Sequence, residues 1–87
     1  MVVKLRTLRQ SEDWAALMQA QAQVLQLSRT SQARRDGLLL VFEASCARKE
    51  TTVTSLFNRL VIDYPDTQAQ AVELCRHHLP DQVFDRQ

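Results

Sequence analysis

The chain has 87 residues, 45% of them hydrophobic and 24% charged, with a formal charge of +1. That balance fits one soluble domain, argues against disorder throughout, and falls short of the strongly basic surface of a nucleic-acid binder. A domain this small buries only roughly 60–65% of its unfolded surface, so association with a partner is a common source of extra stability.

Gly37 is the only glycine, and Pro65 and Pro80 are the only prolines. Hairpins and short strands need more such residues, so the expected fold is all-α, a single domain of three or four helices. The charge is uneven. Lys4, Arg6, Arg9, Arg29, Arg34 and Arg35 face only Glu12 and Asp13 before Asp36, and from there on eight acids meet five bases.

Residues 1–10 come first. Val3 and Leu5 alternate with Lys4 and Arg6, which suits a short extended arm, with a helical lead-in as the other choice. Two copies of such an arm would pair into a ribbon and resemble a ribbon-helix-helix repressor. That resemblance implies a dimeric DNA-binding regulator, with Lys4, Arg6, Arg9, Arg34 and Arg35 on nucleic acid.

A helix from about Glu12 to Leu27 follows. Ser11 is its expected N-cap, and Trp14, Leu17, Met18, Val24 and Leu25 recur at helical spacing. A turn within 28–33 then leads into a second helix that runs through Gly37, at a cost of about 1 kcal/mol relative to alanine.

That helix opens on the run Leu38–Phe42, and its apolar seam continues at Cys46, Val53, Leu56 and Leu60 in steps of three and four. Lys49 is the one charged interruption. Continuity of the seam favours one helix over 38–63, whereas Thr51 and Thr52 favour a break. Because the run is apolar around its whole circumference, it must be covered from every side. This points to a partner, another protein or a second copy, with the monomer's own core as the competing explanation.

Pro65 ends the seam, and Asp66 or Thr67 caps a last helix, Gln68 to Leu79, that shows Ala71, Val72, Cys75 and Leu79 on one face. Residues 81–87 read as a tail, with Val83 and Phe84 as a possible anchor. The stretch Phe57–Thr67, with Ala69 and Ala71 beyond it, resembles the junction between two tetratricopeptide repeats. Phe57 and Pro65 match the spacing, and Val41, Val53 and Leu60 depart from it. The resemblance implies a helical surface that binds peptides or proteins.

Little in the chain suggests chemistry. Cys46 and Cys75 are too few and too far apart for a disulfide framework and read as buried free thiols. Cys75-Arg76-His77-His78 offers one close ligand pair, and a structural zinc site needs two, so no metal or cofactor is expected. The chain lacks a phosphate loop and a paired-carboxylate motif, and is not expected to be an enzyme. Without a secretory h-region or an apolar span it is expected in the cytoplasm. The expected function is a small protein–protein interaction module: an adaptor, chaperone-like or regulatory protein. Its contacts would come from Trp14, Met18, Leu38, Leu39, Val41, Phe42, Val53, Leu56, Phe57 and Leu60.

Overall fold

A computed structural model describes residues 2–82, with side chains from Lys4 onward. The expected anchor at Val83 and Phe84 lies outside the described residues. Among those residues the fold is all-α, as expected, but with six helices rather than three or four: α1 Val2–Gln10, α2 Trp14–Gln19, α3 Gln21–Leu25, α4 Gln32–Ala47, α5 Val53–Asp63 and α6 Gln68–His78, plus a 3₁₀ turn at Pro65–Thr67.

α4 is the axis of the molecule, and each of the other five helices packs against it. This arrangement explains the apolar run. Leu38, Val41, Phe42, Ala44, Ser45 and Cys46 are fully buried around the whole circumference of α4, and the chain's own helices do the covering. Short helices suffice because each need cover only one side. Phe42 meets Phe57 of α5 with ring centroids 6.0 Å apart. Leu17 of α2 and Val24 of α3 are also fully buried.

Residues 2–10 are not an extended arm. α1 places Leu5 in the core and half-buries Leu8, three residues apart on one helical face. Arg6 reaches Asp36 at 3.4 Å and Arg9 reaches Glu43 at 2.6 Å. The partners lie two turns apart along α4, so α1 runs beside that helix and its alternating polarity serves two neighbours. A ribbon between two copies has no strand from which to form among the described residues.

Two helix ends share one device. After α1, Glu12 adopts φ 56°, with Glu12 N–H on Arg9 C=O at 2.9 Å and Asp13 N–H on Leu8 C=O at 2.8 Å. After α4, Lys49 adopts φ 56°, with its N–H on Cys46 C=O at 3.1 Å and Glu50 N–H on Ser45 C=O at 2.9 Å. Both are Schellman terminations with a left-handed residue where glycine is usual. Lys49 is therefore no flaw in a continuous seam. It turns the chain out of α4, and 38–63 forms two helices.

The helix expected over 12–27 also divides. Ser11 donates its hydroxyl to Thr7 and Leu8 carbonyls at the end of α1, and Asp13 caps α2 through Ala16 N–H at 3.3 Å. α2 gives way to α3 at Ala20, which is itself nearly buried. Ser31 caps α4 through Arg34 N–H at 3.3 Å. Gly37 lies inside α4, where a Cβ would stand 3.1 Å from Val24 Cγ2. The missing side chain is what lets α3 close onto α4.

Tyr64, at φ −140°, breaks the helix before Pro65, and the Thr67 hydroxyl donates to Tyr64 C=O at 2.7 Å. α6 follows. Only Ala71 and Cys75 on it are fully buried, both small, while Val72, Leu74 and Leu79 pack at the margin.

Candidate functional site

Cys46 and Cys75 are not free thiols. They form a disulfide, with Cα atoms 5.4 Å apart, that ties α4 to α6. The separation of 29 residues carried no signal of pairing in the sequence; packing α6 across α4 brings the two together. Cys75 is thereby removed from the metal-ligand cluster considered above.

One turn from each cysteine stands a polar residue of the cleft. Glu43 precedes Cys46 by three residues on α4, and His78 follows Cys75 by three on α6. His78 Nε2 lies 3.2 Å from Glu43 Oε2. Arg9 of α1 donates from Nε to Glu43 Oε1 at 2.6 Å and from Nη2 to Oε2 at 3.2 Å. The Glu43 side chain is 4% exposed, against 46% for Arg9 and 24% for His78. A buried carboxylate thus joins three helices while its partners reach toward solvent. Hydrogen bonding to Glu43, with its negative charge, raises the Arg9 pKa above the ordinary arginine value.

Trp14, at the start of α2, packs edge-on against His78 with ring centroids 5.3 Å apart. Together with Gln10, Glu12 and His77 these residues line a cleft of about 300 Å³. Its walls come from α1, the α1–α2 connection, α2, α4 and α6. Arg9 and Glu43 cancel. The Glu12 carboxylate has no hydrogen bond or ion pair among the described residues and leaves one negative charge on the rim. The chemical content is an aromatic surface, a free carboxylate and two imidazoles around a neutralised ion pair. Glu43 is the single charged residue between Gly37 and Arg48, and a lone carboxylate in an apolar run is the sequence signal that marks this place.

The residues expected to meet a partner are mostly elsewhere. Leu38, Leu39, Val41, Phe42, Val53, Leu56, Phe57 and Leu60 are all buried, at no more than 6% exposure, inside the chain's own core. In this structure the seam faces inward, as the competing explanation held. Trp14 and Met18 remain half-buried at the surface, and of the two only Trp14 lines the cleft.

The basic residues do not converge either. Arg6, Arg9 and Arg35 pair with Asp36, Glu43 and Asp66, and Lys4 stands exposed. Arg34 is 4% exposed and donates from Nη1 to Asp63 Oδ2 at 2.8 Å and to the Tyr64 hydroxyl at 3.2 Å. Burial works against its charge, but the bonds to Tyr64 and Asp63 outweigh that and its pKa is raised. The Tyr64 hydroxyl in turn donates to Arg29 C=O at 2.8 Å, and Arg29 Nη2 lies 3.3 Å from Asp63 Oδ1. This second cluster locks the start of α4 to the end of α5.

No family model, curated protein or solved structure matches this chain. No family model supports the tetratricopeptide resemblance of the Phe57–Thr67 stretch. Among the described residues, no helix is long and apolar enough to cross a membrane.

Proposed function

We propose that this protein is a small, non-enzymatic interaction module, and that its contact surface is the Trp14 cleft, which receives a basic side chain from a segment of another protein. The observation that carries this reading is the pairing of a half-buried surface aromatic with an uncompensated carboxylate. Trp14 and Glu12 line one cleft whose other two charges, Arg9 and Glu43, neutralise each other. A lysine or arginine entering there gains the ring face and the Glu12 charge together. Tryptophan is also a residue type that concentrates binding energy at interfaces.

The buried seam supplies the rigid support for this surface. α1, α4 and α6, which carry Arg9, Glu43 and His78, are all fixed on the common core. Adaptor and regulator are both roles of such a module.

An array of immobilised short peptides differing in lysine and arginine content tests the proposal. Retention of the protein by basic peptides, lost in Trp14→Ala and weakened in Glu12→Gln, is the expected result. Equal retention by acidic and basic peptides, or binding indifferent to both substitutions, refutes it.

A further inference from the structure

We propose that the Cys46–Cys75 disulfide is a redox latch that keeps the Trp14 cleft assembled, and that its reduction releases α6 from α4 while the rest of the fold persists. The proposal rests on the cleft's geometry and is independent of what binds there.

The latch sits where release would have most effect. Cys46 and Cys75 each lie one helical turn from the pair that spans the cleft, Glu43 and His78. α6 contributes His77 and His78 as one wall. Apart from the disulfide, that wall packs along α4, α5 and the 3₁₀ turn, but through small or marginal side chains. The fully buried side chains of α6 are Ala71 and Cys75, and a polar tie to α4 is the His78–Glu43 contact at 3.2 Å. The Arg76–Glu73 pair lies within α6 itself and anchors it to nothing. An isolated helix of 11 residues has little stability of its own. The 3₁₀ turn at Pro65–Thr67 separates α6 from α5, so α6 leaves by giving up its packing on α5 without unwinding that helix.

The remaining helices have contacts with α4 that do not pass through α6. α1, α2, α3 and α5 all pack directly on α4, and Phe42, Phe57, Leu17 and Val24 belong to those contacts.

The chemistry is a two-electron thiol–disulfide exchange with a dithiol. One thiolate of the dithiol attacks a sulfur of the disulfide and forms a mixed disulfide, and the other cysteine leaves as a thiolate that takes up a proton. The dithiol's second thiol then displaces the mixed disulfide, closes the reductant's own disulfide and returns the second cysteine thiol. The dithiol is oxidised and the protein reduced. Both cysteines are at most 1% exposed, so attack follows a transient opening of α6.

Trp14 is the only tryptophan, and its ring contact with His78 makes it the reporter of the wall's position. The experiment compares amide hydrogen exchange and Trp14 fluorescence of the full chain, oxidised and after dithiothreitol, with Cys46→Ala/Cys75→Ala as a second route to the unlatched state. Exchange in residues 68–78 is expected to accelerate about 100-fold on loss of the bond, with α4 and α5 little changed. Trp14 emission should shift to the red, as the ring loses an aromatic neighbour and gains water. Oxidised His78→Ala should reproduce that shift without the change in exchange. Unchanged α6 protection in the unlatched protein would overturn the proposal. So would loss of protection by all helices together, or a disulfide that resists dithiothreitol under native conditions.

Discussion

Arg34→Met isolates the buried ion pair that closes α4 on α5. Arg34 and Asp63 are each only 4% exposed, so the substitution leaves a carboxylate inside the protein without its main partner. Breaking one side of a buried pair costs about 3–5 kcal/mol. Arg29 still lies 3.3 Å from Asp63 but is 69% exposed, and a pair of that kind returns at most about 1 kcal/mol. The expected net loss is about 3 kcal/mol, a large share of the roughly 4–13 kcal/mol total for a domain of this size. Urea denaturation followed by far-UV circular dichroism reads it directly, as a midpoint lowered by about 2–3 M with the slope unchanged. Arg34→Met/Asp63→Leu, which removes both charges, should recover more than half of the loss. A single-mutant loss below about 1 kcal/mol would refute the structural assignment of Arg34. It would return that residue to the solvent-facing set expected of a nucleic-acid contact.

Further predictions follow from local geometry. Phe42→Ala should destabilise the monomer by about 3–5 kcal/mol in denaturant titration, because the ring is fully buried against Phe57. A stable, folded variant whose only change is in association state, read by sedimentation, would contradict the inward seam. Lys49→Gly should raise stability by about 1 kcal/mol in the same titration, since Lys49 holds φ 56° at a Schellman termination. Gly37→Ala should fail to give the gain of about 1 kcal/mol that helix propensity alone promises. The new Cβ would meet Val24 at 3.1 and 3.3 Å, and crowding in a packed core typically costs about 1–3 kcal/mol, so the thermal midpoint should fall.

The fold class, the start of α4, the end of α5 and the bounds of α6 were legible because they depend on local chemistry. The scarcity of glycine and proline excluded a strand-rich fold, Pro65 marked the α5–α6 break, and the polar segment before Gly37 held the turn into α4. Other features were not local. The alternation at Val3–Arg6 looks extended, but it arises because α1 sends leucines into the core and arginines onto α4. Lys49 and Glu12 look like ordinary charges, and only tertiary packing puts them in left-handed conformations. The apolar circumference of Leu38–Phe42 showed that cover was needed without saying whose; five short helices of the same chain supply it. The Cys46–Cys75 bond and the Arg9–Glu43–His78 cluster each join residues 29 to 35 positions apart. No spacing rule reaches that far, although the lone Glu43 in an apolar run was a visible clue.

The most direct test of the central claim is a titration of the oxidised protein with a lysine- and arginine-containing peptide, followed through the Trp14 indole N–H and backbone amides by two-dimensional NMR. The account predicts shifts concentrated at Gln10, Glu12, Trp14 and His77, with weaker binding in Glu12→Gln and in higher salt. Shifts elsewhere on the surface, or none around Trp14 at saturating peptide, would contradict it.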